Sequence, residues 1–391
     1  MPAIRRPTAE EYDRIFDLTR QAFNVPPSVR ERGRADFHPE HGRVVEENGT
    51  VVATLRTIPF GHFWGGRSVK AAGIGGVAVP AEHRGKGYAS SLMRHTLSDL
   101  REDGVLLSTL YPATVPIYRN AGYGFGGIRT LWKARLDSLP PRATLHVEEY
   151  TDGMLDAVMA CYERVARSTA GLVDRDREWW AKRVFRSAWD EHEPYAYVVR
   201  EGDEVTGYIV YKLEGQKDDW RSMMSCRDLM WTTPDAARAL LSLAAMHRST
   251  GSRIGWVGPA DEPIADLLPE ERLEIDFRFR WMLRLLDVPA AIEARGYPHH
   301  VNAAVGIGVR DPLFAENEGP WRVEVTDGVA KVGTAERADA TADVQTWASI
   351  WSGLHTPTQA ARLGGLVASD DALAALSSMF TGPTPWLADF Y

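Results

Sequence analysis

Cysteine is almost missing from this chain: Cys161 and Cys226 are the only two in 391 residues. Two are too few for a disulfide framework, and neither has neighbours that complete a metal set, so no metal is expected. Long apolar runs are missing as well, and nothing approaches the ~20 residues that span a bilayer. The start, with Arg5, Arg6, Pro7, Glu10 and Glu11, lacks the apolar core of a signal peptide. The expectation is a cytoplasmic protein with no membrane partner. A basic excess is also lacking: 45 Lys and Arg against 53 Asp and Glu give a net charge of −8. That balance argues against nucleic acid as the main partner and suits a cationic substrate. What is present in quantity is chain, and 391 residues exceed one comfortable core, which predicts two or three domains.

The most informative stretch is Val77-Ala78-Val79-Pro80-Ala81-Glu82-His83-Arg84-Gly85-Lys86-Gly87-Tyr88-Ala89. It reads as a strand stopped at Pro80, a tight turn with two glycines, and a helix from about Tyr88. Such a turn aims backbone N–H groups at an anion, and its glycines let a pyrophosphate approach closely. Arg84 and Lys86 add charge. The Walker spacing of nucleotide hydrolases is absent.

Upstream, helical spacing runs over 9–23 up to Pro26-Pro27, and Val44–Ala53 reads as strand, Asn-Gly turn, strand. A strand over about 70–79, the motif helix over about 87–102 and a buried strand around Val105–Leu110 follow. Ser138-Leu139-Pro140-Pro141 reads as a linker. After it the pattern restarts: Val198-Val199-Arg200-Glu201-Gly202-Asp203 matches Val44–Gly49 at an offset of 154. The same offset carries Pro80 to Pro234 and Arg84 to Arg238, with a helix following in both cases. Gly87, however, falls on Leu241 and Ala89 on Leu243. A copy without those glycines cannot bring its backbone close to phosphates. From about 287 the texture changes: helical Val288–Arg295, a strand over Ala303–Val309, a hairpin at Thr326-Asp327-Gly328, and segments that look helical over Thr341–Leu354, Pro357–Leu363 and Asp370–Ser378. Trp179, Trp180, Trp347 and Trp351 sit at spacings that fit core faces.

Arg84-x-x-Gly87-x-Ala89 after a Val-rich strand resembles the signature of the GCN5-related N-acetyltransferases (GNATs), which use it to hold acetyl-CoA. The run Tyr118-Arg119-Asn120-Ala121-Gly122-Tyr123 resembles their Tyr-x-x-x-Gly-Tyr segment, and the chain ends in Asp389-Phe390-Tyr391. With Asp287-Val288-Pro289-Ala290-Ala291, these features resemble the enhanced intracellular survival (Eis) acetyltransferase family over essentially the whole chain. The resemblance implies a mixed α/β fold of tandem GNAT domains, the second degenerate, and a C-terminal sterol-carrier-protein-like domain: 1–137, 143–286 and 287–391.

It also implies acetyl-CoA as co-substrate, held by Val77, Ala78, Val79, Arg84, Gly85, Lys86, Gly87, Tyr88, Ala89 and Ser90, with Tyr118 and Arg119 beside the pantetheine arm. Tyr123 would be the general acid and the α-carboxylate of Tyr391 the general base, acting on a primary amine in a ternary complex. Aminoglycosides or related small amines, protein lysines, or no acceptor at all in a binding-only module are the alternatives, and a hexamer is the implied assembly. By the same resemblance, relatives that acetylate polyamines carry acidic and aromatic residues in the first-helix region. Here Arg30, Arg32 and Arg34 occupy that segment, which is compatible with a substrate bearing an anionic group beside its amine.

Overall fold

The computed structural model describes residues 3–186, 192–217, 219–270 and 272–391. Their packing separates into two compact units. One gathers the chain up to Gly127 with Trp281–Pro383 and Tyr391; the other holds Ile128–Arg280 and Thr384–Phe390.

In the first unit, strands β1 (Ala3–Arg5), β2 (Gly42–Glu47), β3 (Thr50–Trp64), β4 (Arg67–Ala78) and β5 (Leu107–Leu110) lie side by side in that order. Residues Met282–Leu285 pair antiparallel with the far edge of β5. Helix α1 (Tyr12–Phe23) ends at Asn24, whose φ of 54° is a left-handed cap ahead of Pro26-Pro27. Helix α2 (Arg30–Ala35) is short, and helix α3 (Tyr88–Glu102) buries Leu92, Met93, Leu97 and Leu100. That stripe packs into a core with Leu55, Ile74, Val105 and Tyr123, each such side chain contributing about 1.5–3 kcal/mol. Helix α4 (Val115–Asn120) leads into Tyr123.

A second sheet of the same unit runs Val329–Thr334, Trp321–Thr326, Ala303–Arg310, Ala340–Asp343, Leu366–Ala368. The helical reading from Thr341 is corrected here. Thr341 pairs with Gly308 in a parallel ladder, and the helix starts only at Val344. The β-branched threonine and the alanines beside it fill a strand between two partners, a tertiary demand that local spacing does not carry. This helix docks on the residues around Tyr123. Gln345 Nε2 donates to the Arg119 carbonyl at 3.0 Å, and Ser349 Oγ donates to that of Phe125 at 2.8 Å.

The second unit is ordered Val147–Glu149, Tyr195–Glu201, Glu204–Glu214, Ser222–Trp231, Gly251–Gly258, then Ile128–Arg135. Its helix begins at Pro234, with Thr233 accepting from Ala236 N as the cap. The offset would put the equivalent of Tyr88 at Ser242, so the helix occupies the place of the turn itself. The expectation of a turn that lost its glycines is therefore corrected: the turn is gone. The strands Ser222–Trp231 and Gly251–Gly258 still part beyond the Ser225–Gly255 pair. A cavity of about 540 Å³ lies there, lined by Leu229, Met230, Trp256, Ile264 and the tail residue Trp386. Arg175 anchors this unit: it is buried, with Asp228 on one side and both oxygens of Asp389 on the other at 3.1 Å.

Candidate active site

Beyond β4 the chain forms the turn the sequence predicts. Gly85 and Gly87 both have φ of 81°, which side chains rarely adopt, and nothing lies within 4 Å of where a Cβ on either would sit. Gly87 caps α3 without a side-chain acceptor, so the first N–H groups of that helix face outward beside exposed Arg84 and Lys86. This is room and polarity suited to a diphosphate. Tyr88, Ala89 and Ser90 form the first turn of α3, with the Tyr88 ring packed inward. Glu47, which the sequence did not single out, sits underneath. It accepts from Tyr88 Oη at 2.6 Å and from Lys86 Nζ at 3.2 Å, and those contacts hold its carboxyl below the usual range.

The strand leading to the turn opens away from its neighbour. β4 pairs with β5 only through Ala71, Ala72 and Gly73. Past that point Gly76, with φ of 61°, sits where the β3 register shifts, a bulge that bends the strand. Residues 74–78 thus keep a β5-facing edge that β5 does not occupy, the kind of edge an amide-bearing arm can pair with. Val77 is half-buried and Ala78 buried; Val79 lies just beyond the strand and accepts from Arg84 Nε at 3.3 Å.

Two tyrosines meet β5 where it leaves β4. Tyr123 is fully buried, and its hydroxyl and that of Ser108 lie 2.7 Å apart. Tyr391 hydrogen-bonds through its hydroxyl to Thr109. Ser108 and Thr109 are consecutive strand residues, so they point to opposite faces. Gly73 makes space for the Tyr391 ring, since a Cβ there would lie 2.5 Å from it, and the ring stands 5.2 Å from that of Phe60 and 5.5 Å from that of Tyr111. The Tyr391 backbone carbonyl carbon lies 3.7 Å from the position a Gly75 Cβ would take, and Arg56 Nε lies 3.3 Å from the same point, so both border the space above Gly75.

Tyr118 is buried against Tyr123, with rings 6.1 Å apart and nearly perpendicular. Arg119 is exposed and covers the Phe125 ring. Burial pushes the Tyr123 phenol well above the ordinary range, while Ser108 and the Arg284 guanidinium pull the other way. Two of the three α2 arginines already have carboxylate partners. Arg30 reaches Asp13 at 2.9 Å and also Asp17, and Arg34 reaches Asp13 at 2.6 Å. Their guanidinium groups lie over Phe16 and Tyr12. Neither cysteine is poised as a nucleophile, both being buried, and burial pushes the Cys161 thiol up to about 12.

Sequence reading missed Ser108, Thr109, Gly73, Gly75, Arg56, Arg284 and Glu47. Some signals were there: paired hydroxyls inside an apolar strand, a glycine cluster in a strand interior, and one arginine in Trp281-Met282-Leu283-Arg284-Leu285-Leu286.

Residues 3–126 match the acetyltransferase (GNAT) domain family, residues 171–285 match a second acetyltransferase (GNAT) domain family, and residues 288–388 match the sterol carrier protein domain. An uncharacterized N-acetyltransferase of Streptomyces avermitilis is 30% identical, over 98% of this chain and 97% of that one. N-acetyltransferase Eis of Mycobacterium tuberculosis is 25% identical, over 97% and 96%. A solved GCN5-related N-acetyltransferase of Anabaena variabilis superimposes with a TM-score of 0.95 at 30% identity, each chain covered in full. GNAT acetyltransferases draw their acetyl group from acetyl-CoA, and the open turn and parted strands fit that donor. Two GNAT domains, one of a variant type, and a sterol-carrier-type domain place this acetyltransferase in the Eis-like GNAT N-acetyltransferase family.

Proposed function

We propose that this enzyme acetylates a primary amine of a small molecule, by direct attack with amine and acetyl-CoA bound together. The carrying observation is that Ser108 and Thr109, adjacent on β5 and facing opposite ways, bind Tyr123 and Tyr391 where β4 leaves the sheet. A thioester entering there would meet a proton donor from one face and a carboxylate from the other. Acetyl-CoA supplies the acetyl group and a thiolate leaving group. Residues 84–90 hold the diphosphate and the free edge of 74–79 aligns the arm, with Tyr118 and Arg119 nearby. The Tyr391 carboxylate accepts the proton of the attacking nitrogen, through water, as the N–C bond forms and the C–S bond breaks. Tyr123 gives its proton to the departing sulfur.

One feature favours a small cationic acceptor: the rings of Phe60 and Tyr111 cluster around that of Tyr391, and cations are held by aromatic faces. The pairing of Arg30 and Arg34 with Asp13 and Asp17 weakens the reason to expect an anionic group on the substrate. The burial of both cysteines supports direct attack over a covalent intermediate. We further propose the domain limits 1–137, 143–286 and 287–391, a cytoplasmic setting and, by family resemblance, a hexamer, which light scattering would read.

The test is thiol release from acetyl-CoA against aminoglycosides, polyamines, amino-acid-like amines and lysine peptides. A small amine should be turned over best, Tyr123→Phe should lose about 10²–10⁴-fold in kcat, and one residue added after Tyr391 should impair turnover with acetyl-CoA affinity intact. Preference for lysine peptides, or full turnover by the extended chain, would overturn the acceptor or the base respectively.

A further inference from the structure

Arg284 is a fully buried cation with donors to spare. It lies directly opposite Ser108 in the pairing of Met282–Leu285 with β5, so both side chains stand on the face that holds Tyr123. One nitrogen, Nη2, reaches both oxygens of Asp311 at 2.6 and 2.7 Å. Asp311 is itself well satisfied, accepting also from Asn317 Nδ2 at 2.8 Å and from the Leu313 and Phe314 amides. Arg284 Nε and Nη1 have no hydrogen-bond partner among the described residues.

That free edge faces the residue before Tyr123. A Cβ on Gly122 would lie 2.7 Å from Arg284 Cζ and 2.8 Å from Nε, and Gly122 has φ of 86°. The glycine of the Gly-Tyr pair is thus required twice, by its backbone conformation and by the closeness of a guanidinium.

An apolar isostere would serve packing better than a half-used buried ion pair, so the unused donors need another reason. Resting on the reading of Tyr123 as general acid, we propose that Arg284 is a positioning residue for that proton transfer, its charge offsetting the phenolate left when Tyr123 protonates the leaving sulfur, and Asp311 setting how much of that charge Tyr123 feels. The proton moves from phenol to thiolate and is returned from solvent by way of Ser108. Burial makes Tyr123 a reluctant donor, while Ser108 and the Arg284 guanidinium pull the other way; Tyr118 and Tyr391 oppose them, and Asp311 and Arg101 act in turn on Arg284.

The experiment places 3-fluorotyrosine at position 123 of the full chain and follows its ionisation by fluorine NMR, alongside acetyl-CoA turnover. Arg284→Met should move the ionisation to higher pH and lower kcat about ten-fold or more, with KM for acetyl-CoA little changed. Arg284→Lys should recover most of both, and Asp311→Asn should move the ionisation to lower pH. A merely structural ion pair predicts the same sense for Arg284→Met and Asp311→Asn. An unmoved titration in Arg284→Met, or in Arg284→Lys with kcat lost, would overturn the proposal. Full turnover by Tyr123→Phe would instead remove the acid assignment beneath it.

Discussion

After corresponding strands, the two acetyltransferase-type domains use the same stretch of chain in different ways. The first inserts a turn whose glycines sit at φ of 81°, then starts its helix at Tyr88. The second starts a helix at once, at Pro234 behind a Thr233 cap. Both keep a pair of parallel strands that part near their ends. The parting of strands belongs to the fold, whereas the open turn depends on a few residues that hold the helix back.

Their buried arginines differ in the same sense. Arg175 uses all three nitrogens on Asp228 and Asp389, and its guanidinium lies against the rings of Tyr162 and Trp180. Arg284 uses one nitrogen and, among the described residues, leaves two unpartnered beside Tyr123. A saturated pair needs no reason beyond structure; unspent donors beside the proposed acid invite a functional one.

The contrast can be broken by substitution. Arg175→Met strands two buried carboxylates without their cation and should cost about 3–5 kcal/mol in denaturant unfolding. Arg284→Met leaves one carboxylate that keeps its amide donors, and should cost less; equal costs, or the reverse order, would erase the distinction. Gly122→Ala should cost about 2–4 kcal/mol, from a disfavoured φ and the Arg284 contact. The same exchange at Gly153, which has open space around it and no positive φ, should be nearly silent.

A pH-dependent effect concerns His62. It is buried among Phe60, Trp64 and Trp281, neither ring nitrogen has a partner among the described residues, and burial pushes its pKa down to about 3. The unfolded chain binds a proton there below about 6.5 while the folded one does not, so stability falls as pH drops through that window. Between neutral pH and pH 5 the cost is about 2 kcal/mol, and His62→Phe should remove that part of the acid sensitivity. An unchanged pH dependence of unfolding would show that His62 finds a proton partner.

The sequence made the turn at 84–90 and the Gly-Tyr pair legible because both are local: glycine, charge and a strand-to-helix change within a few residues. Ser108 and Arg284 meet only through strand pairing between distant parts of the chain, and Arg56 comes beside Gly75, and so near Tyr391, only because β3 pairs with β4. No local pattern carries such contacts. The missing turn of the second domain was half legible: Leu241 and Leu243 showed that phosphates could not approach, but Pro234 as a helix start became clear only with its Thr233 cap.

If the turn at Gly85 and Gly87 makes the one acetyl-CoA site of the chain, calorimetric titration on the intact chain and on Gly87→Val reads it out. One molecule should bind per chain and none detectably in the variant, with the fold intact by circular dichroism. Two molecules per chain, or unchanged affinity in the variant, would contradict it.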